Sequence, residues 1–177
     1  MINSMHLYVF LASLFSGILH YTSAKEKIAG SIHTKDLIGG RIELRRELGR
    51  GKFGMVYSGV DIPTSQPVAV KFVTGEESKL VLLKEYKTLV QFNSTPGICR
   101  AVWYGTHGNY SCLAMERVGP SMSTYIPRKL FNSHNAVLQA IGLAISMLTT
   151  FESFHDKGLI HRDVRPVNMA GGGEMCK

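Results

Sequence analysis

The pattern with the most specific chemistry is His-Arg-Asp at residues 161–163, followed by an asparagine at position 168. In a loop of the form H-R-D-x-x-x-x-N, the aspartate accepts the proton of a hydroxyl group and the asparagine contacts a magnesium ion. Asp163 and Asn168 have the spacing that this form requires. The sequence therefore predicts a loop that directs the transfer of a group onto a hydroxyl.

A glycine-rich segment at 49–56 reads Gly-Arg-Gly-Lys-Phe-Gly-Met-Val. Glycines let a backbone approach phosphate groups closely and leave its amides free to donate to them. Dinucleotide-binding folds use similar glycines, but there a helix begins at the loop. Here β-branched and aromatic residues at 55–60 predict a strand instead. We therefore expect a hairpin that covers a nucleotide.

A lysine at position 71 lies within a strand-like apolar segment, Pro67 to Val73. An unpaired buried ammonium is costly, so Lys71 requires a counter-charge. Glu85, in the helix predicted to follow, can supply it. Taken singly, either residue could be a surface charge. With the glycine loop upstream, the two predict an ion pair whose lysine holds nucleotide phosphates.

Five strand-like segments lie around these motifs. Strands are predicted at 41–48, 55–60 and 67–73, and two more within 98–118, on either side of the turn His107-Gly108-Asn109. They predict a sheet that carries both the glycine loop and Lys71.

Two amphipathic helices are also predicted. The first starts at Glu76 and Glu77, and its apolar residues recur every three or four positions: Leu80, Leu83, Tyr86, Leu89 and Val90. The second is capped by Asn132 or Ser133 and ends at Gly158, with the apolar stripe Leu138, Ile141, Ile145, Leu148, Phe151 and Phe154. This order of elements predicts an α+β fold in two lobes, strand-rich first and helical second.

With these motifs placed, the chain resembles a eukaryotic protein kinase, and most closely the casein kinase 1 family. The closer likeness rests on Ile38–Arg41, Pro96–Ile98 and the segment Met115–Ser121, which reads M-E-R-V-G-P-S. The resemblance implies an N-lobe at 41–118, with a five-stranded antiparallel sheet and one helix. It also implies a partial helical C-lobe at 119–177.

The resemblance further implies transfer of the ATP γ-phosphate to Ser or Thr of proteins, often near acidic or phosphorylated residues. Asp163 would be the base, Arg165 would lie beside the γ-phosphate where the family has lysine, and Asn168 would bind Mg²⁺. No nucleic-acid partner is expected. The implied ATP-binding residues are Leu48, Gly49, Arg50, Gly51, Lys52, Phe53, Gly54, Met55, Val56, Ala69, Lys71, Glu85, Met115, Glu116 and Val118.

One element of the resemblance is missing. The sequence contains no Asp-Phe-Gly triplet, whose aspartate holds magnesium on the phosphates in kinases. We expect the chain to be a fragment of a longer kinase and inactive alone. The alternatives are a truncated pseudokinase that acts as a binding or decoy module, and a degenerate product without function.

Composition narrows the class of protein only slightly. The net charge is +7, which permits anionic partners without choosing among them. The three cysteines, Cys99, Cys112 and Cys176, have no C-x-x-C spacing, so neither a zinc site nor a disulfide framework is expected.

The first 24 residues contain no Lys, Arg, Asp or Glu. The apolar stretch 7–19, followed by the small residues at 22–24, predicts a secretory signal. Residues 5–21 could instead form a membrane anchor, and a mis-assigned start codon is the third alternative. Residues 25–40 are interpreted as a linker. The predicted location is the secretory pathway or a membrane if the leader is real, and the cytoplasm otherwise. The oligomeric state is left open.

Overall fold

The computed structural model describes residues 7–9, 32–51, 54–125 and 135–171. In chain order the elements are β1 (Leu7–Val9), β2 (Leu37–Ile38), β3 (Ile42–Gly51), β4 (Gly54–Asp61), β5 (Gln66–Val73), α1 (Glu76–Gln91), β6 (Ala101–His107), β7 (Tyr110–Glu116), α2 (Met122–Tyr125), α3 (Ala136–Asp156), a 3-10 turn (Pro166–Asn168) and β8 (Met169–Gly171).

The chain divides into two units. A sheet unit comprises Ile18–Gln91 and Arg100–Arg117, and a helical unit comprises Met1–Gly17, Phe92–Cys99 and Val118–Lys177. The predicted division into an N-lobe at 41–118 and a C-lobe at 119–177 stays a prediction. Phe92–Cys99, expected in the first lobe, belongs to the helical unit, because the Phe92 ring packs on Phe154 with 4.8 Å between centroids.

The sheet unit is an antiparallel sheet of six strands in the order β2-β3-β4-β5-β7-β6. Along β5, the alternate residues Val68, Val70 and Phe72 are fully buried in its core. This is the period that a strand with one core face requires. The five predicted strands are all present, and the sixth is the two-residue β2.

Strand β2 lies within the segment interpreted as a linker. Ile38 is fully buried, and the backbone of this segment is bonded to β3 through Lys35 N–H to the Leu44 carbonyl (2.8 Å) and Leu44 N–H to the Asp36 carbonyl (3.0 Å). The sheet therefore begins before Arg41, where the sequence pattern placed its start.

Helix α1 buries Leu82, Glu85 and Leu89, at spacings of three and four residues. Of the predicted apolar face, Leu80 and Val90 are exposed. Tyr86 stacks on Tyr104 of β6 at 5.1 Å between ring centroids. The buried face is thus rotated from the predicted one, and it includes a charged residue.

The helical unit is built around α3 and two small clusters. Met122, Leu143 and Met169 form one core, while the rings of Phe92, Phe151 and Phe154 form another contact group. Gly158 ends the helix with a φ of 70°, as predicted. Asn132 and Ser133, the predicted caps, lie outside the described residues.

Most of the predicted stripe on α3 faces outward. Phe154 is fully buried, whereas Leu138, Ile141, Ile145 and Leu148 are 51–70% exposed. By length and hydropathy this helix could cross a membrane, a test that core helices of soluble domains also pass. Exposure of four large apolar side chains indicates a face without a partner among the described residues.

Of the leader, only Leu7–Val9 is described, and it forms a strand antiparallel to β8, Met169–Gly171. The rest of the predicted signal or anchor at 1–24 lies outside the described residues. The same is true of linker residues 25–31 and of Cys176.

A substitution at Gly54 tests the hairpin between β3 and β4. Gly54 has a φ of 117°, and a Cβ there would lie 2.0 Å from the Phe72 carbonyl oxygen. We expect Gly54→Ala to lower the free energy of unfolding by about 3 kcal/mol, from overpacking and backbone strain together. Fluorescence of the single tryptophan, Trp103, reports unfolding of this sheet.

Gly108→Ala is the matched control. Gly108 also has a positive φ, 56°, but a Cβ there would meet nothing within 4 Å. It should cost about 1 kcal/mol, the strain of the left-handed backbone alone. Equal losses in the two variants would contradict the close approach at Gly54.

Candidate functional site

The glycine segment forms the tip of the β3–β4 hairpin. Gly51 pairs with Gly54, and Gly49 pairs with Val56, so a strand rather than a helix follows the loop. Lys52 and Phe53, at the tip, lie outside the described residues. Arg50 is held at the surface by Glu47, with Nη2 to Oε2 at 2.8 Å, and this pairing lowers the pKa of Glu47.

Lys71 and Glu85 form the ion pair that their positions predict. The Lys71 Nζ lies 2.7 Å from the Glu85 Oε2, and the side chains are 12% and 3% exposed. Two charges so deeply buried require this geometry, because either one alone would carry a large desolvation cost. The pair ties the centre of β5 to α1.

Several predicted site residues share one face of the sheet. Lys71 is in register with Val56 on one side and Leu113 on the other, and Ala69 is in register with Met115. Cross-strand neighbours in register point to the same face. This face is opposite the one on which Val68, Val70 and Phe72 are buried.

The segment after β7 has one backbone donor available. Glu116 N–H donates to the Arg100 carbonyl at 2.9 Å, and the Glu116 carboxylate accepts from Arg100 Nε at 3.3 Å. Within the part of the chain that the structure describes, the Val118 N–H has no hydrogen-bond acceptor.

In the helical unit, the loop at 161–168 is anchored by a buried histidine. His161 is 2% exposed and its ring meets the edges of Phe151 and Phe154, at 5.8 and 5.9 Å between centroids. Its Nδ1 accepts from the Asp163 N–H at 3.3 Å. The intervening Arg162 has a φ of 65°, which turns the chain between these two residues.

The Asp163 carboxylate accepts hydrogen bonds from two side chains. Arg165 binds it in a bidentate contact, Nη2 to Oδ2 at 2.7 Å and Nε to Oδ1 at 2.6 Å. Asn168 Nδ2 donates to Oδ2 and to the Asp163 carbonyl, both at 3.0 Å. Arg165 first, and then Asn168, hold the pKa of Asp163 below its ordinary value.

Arg165 therefore makes a contact that the sequence did not predict, while its predicted role beside the γ-phosphate stays a prediction. The planar guanidinium group of Arg165 matches a carboxylate in geometry. It binds the Asp163 carboxylate, which the sequence predicts to be the base. A lysine ammonium cannot make the same two-pronged contact. Arg165 in this structure therefore binds Asp163.

Ser121 is a positioning residue that the motifs did not reveal. Its hydroxyl donates to the Pro166 carbonyl at 3.1 Å, and its backbone bridges to Ala170. Gly119 N–H donates to the Gly171 carbonyl alongside it. The 119–121 segment thus holds the end of the 161–168 loop, a contact between residues 45 apart in sequence.

The described acids, histidines and thiols do not form a metal centre. No group of three or more His, Cys, Asp or Glu that could hold a metal occurs in the described ranges. Cys99 and Cys112 are both buried, and burial raises the pKa of Cys112 to about 12. Asn168 could contribute at most one of the oxygen ligands that Mg²⁺ takes.

Comparisons with known proteins agree with this geometry. A family model described as the protein kinase domain matches residues 42–170. A probable serine/threonine-protein kinase of Dictyostelium discoideum is 32% identical over 136 residues, which is 77% of this chain and 27% of that protein. A casein kinase I homolog of Kluyveromyces lactis is 28% identical over 166 residues, 90% of this chain and 30% of that protein.

A crystal structure of a kinase domain has the same fold. It has a TM-score of 0.68 at 23% identity and covers 78% of this chain and 42% of its own. Of the two curated relatives, the chain spans about three-tenths of the length of each.

Removal of one partner tests the energetics of the buried pair. Glu85→Ala strands the Lys71 ammonium, and we expect it to lower the free energy of unfolding of the sheet by about 3–5 kcal/mol. The double variant Lys71→Met/Glu85→Leu should regain most of that loss. Denaturant unfolding followed by Trp103 fluorescence measures both.

Glu76→Ala is the control for this pair. Glu76 pairs with Lys79 at the surface and is 87% exposed, so its loss should cost about 0.5 kcal/mol or less. A cost for Glu85→Ala no larger than for Glu76→Ala would show that the buried pair is not structural.

The Asp163 carboxyl gives a prediction about pH. Because its folded pKa is lowered, the stabilisation from Arg165 is present above the ordinary value of about 3.9 and is lost as the pH falls through the lowered pKa. In Arg165→Gln the Asp163 midpoint should rise toward that ordinary value. Carbon-13 NMR titration of the Asp163 carboxyl measures the midpoint.

The neighbouring Arg162→Gln removes the same charge without touching the two-pronged contact, so the Asp163 midpoint should stay close to that of the parent chain. A midpoint that moves equally in both variants would show a general effect of net charge.

Proposed function

Since this chain belongs to the protein kinase domain family, we propose that it carries the nucleotide-binding and catalytic-loop residues of a serine/threonine kinase of the casein kinase 1 type. The enzyme would transfer the γ-phosphate of ATP to Ser or Thr side chains of proteins. The observation that carries the proposal is the buried Lys71–Glu85 pair on the sheet that bears the glycine hairpin.

In the sheet unit, different residues would bind the phosphates and the base of the nucleotide. Lys71, fixed by Glu85, would donate to the α- and β-phosphates. The backbone amides of the hairpin 49–54 would cover the phosphates. Val56, Ala69 and Met115, which share the Lys71 face, would contact the base, as Leu48, Glu116 and the adjoining Val118 would from its edges.

In the helical unit, Asp163 would accept the proton of the substrate hydroxyl. Its lowered pKa keeps it ionised at neutral pH, which a proton acceptor requires. To act, it must be reached by the hydroxyl, so the Arg165 fork has to release at least one carboxylate oxygen. Asn168 holds the loop and would supply one magnesium ligand, and Mg²⁺ would neutralise phosphate charge.

The casein kinase 1 assignment rests on two supports. The Kluyveromyces relative is 28% identical across 90% of this chain, and Met115–Ser121 matches the family in sequence. Ser121 also has a structural task, because it fixes the Pro166 carbonyl. Protein substrates with acidic or phosphorylated residues would follow from this assignment.

We do not expect these 177 residues alone to catalyse phosphate transfer. The sequence has no Asp-Phe-Gly triplet, and phosphoryl transfer depends on positioned magnesium. A second candidate is therefore a pseudokinase that acts as a binding module, favoured by the Arg165 fork on Asp163. A signal or anchor at 1–24 stays a prediction, and with it the compartment.

Nucleotide binding separates the two candidates. Binding of a fluorescent ATP analogue to the 177-residue chain should be saturable and magnesium-dependent, and Lys71→Met should raise its Kd about tenfold, the loss of one charge-assisted contact. Lys87→Met, on the exposed side of α1, removes the same charge and should leave the Kd unchanged.

Absence of saturable binding, or equal weakening by Lys71→Met and Lys87→Met, would contradict the proposal and favour the binding module. Phosphate transfer to a protein substrate by the 177-residue chain, abolished by Asp163→Ala, would overturn the statement that this chain alone is inactive.

A further inference from the structure

A second concave site lies on the sheet unit, and none of its lining residues is among those proposed to contact the nucleotide. It is a cavity of about 360 Å³ that four cationic residues line: Lys35, Arg45, Arg46 and Arg117. No Asp or Glu is among its lining residues, all of which the structure describes. We propose that this basic cavity binds the phosphate group of a phosphorylated protein segment.

A β-bulge creates the basic wall. Consecutive residues of a strand normally point to opposite faces. Between β3 and β4 the register jumps from Leu44–Gly59 to Glu47–Tyr57, so two arginines on β3 oppose Ser58 alone. The bulge therefore brings both Arg45 and Arg46 to the lining of one cavity.

The bulge is held by a buried hydroxyl. Ser58 is 2% exposed, and its Oγ accepts from the Arg46 N–H at 3.2 Å and donates to the Arg46 carbonyl at 3.0 Å. These bonds satisfy the backbone groups that the bulge removes from the ladder. The position of Arg46 is thus fixed by the fold.

Two further segments deliver the other cations. Lys35 adopts a left-handed backbone with a φ of 75° and is bonded through its N–H to Leu44. The Arg117 N–H is held by the Pro67 carbonyl at 3.3 Å. A strained lysine conformation at this place is a feature that functional sites often show.

The charge of the cavity is only partly balanced. Arg45 pairs with Glu43 at 3.2 Å, whereas the side chains of Lys35, Arg46 and Arg117 have no carboxylate partner among the described residues. Grouped like charges repel and favour an anion between them. Arginine forks match phosphate oxygens in pairs, and three of the four cations are arginines.

The concave shape selects the occupant. A membrane presents a flat layer of head groups, which attracts basic patches on an open surface. An open concavity of about 360 Å³ instead has room for one projecting group, such as a phosphoserine or phosphothreonine side chain. We therefore assign the cavity to a phosphorylated protein segment and make the membrane an outcome of the test.

The test uses the intact 177-residue chain and a short fluorescent peptide with one central phosphoserine. Binding is followed by anisotropy with excess Mg-ATP present, which keeps the nucleotide elements out of the competition. The phosphopeptide should bind and the unphosphorylated peptide should not. Arg45→Gln/Arg46→Gln should weaken binding about tenfold or more, the loss expected for charge-assisted contacts.

Lys35→Gln and Lys87→Gln form a matched pair, since both remove one exposed lysine charge from the same unit. Only Lys35→Gln should weaken binding of the phosphopeptide. This comparison tests the cavity even if the Arg45→Gln/Arg46→Gln variant does not fold. Equal weakening by the two, or equal binding of both peptides, would overturn the site. Binding to phosphatidylserine vesicles without binding to the phosphopeptide would overturn the assigned occupant.

Discussion

The buried ion pair between Lys71 and Glu85 is the interaction on which the arrangement of the sheet unit depends. It joins strand β5 to α1, the only helix described in that unit. Both side chains are too deeply buried for water to stabilise either charge without the other. The pair therefore fixes the position of α1 against the sheet. It also presents the lysine on the face that carries Val56, Ala69 and Met115.

In the helical unit, the described residues leave one apolar face of α3 uncovered. Five large apolar residues of α3 are exposed, namely Val137, Leu138, Ile141, Ile145 and Leu148, and burial of each would stabilise the fold by about 1.5–3 kcal/mol. The chain spans about three-tenths of the length of its two curated relatives. The 161–168 loop is nevertheless well anchored, since His161, Ser121 and Asn168 hold it from three sides.

Features set by short-range spacing could be predicted from the sequence, and features set by tertiary contact could not. The glycine hairpin, the strand with Lys71 and the Asp163–Asn168 loop follow from local pattern. The burial of Ile38 and the stacking of Phe92 on Phe154 depend on distant partners. A bulge at 45–46 breaks the strand period without changing composition, and the Arg165 fork depends on side-chain rotamers, so neither leaves a signal in the sequence.

The measurement that tests the central claim most directly is an amide NMR titration of the 177-residue chain with a non-hydrolysable ATP analogue and Mg²⁺. We predict shifts grouped at the hairpin 49–54, at Lys71 and at Met115 and Glu116, and none at Lys35 and Arg46 of the basic cavity. Absence of shifts at Lys71 and the hairpin, with the sheet shown to be folded by Trp103 fluorescence, would contradict a nucleotide-binding role for this sheet.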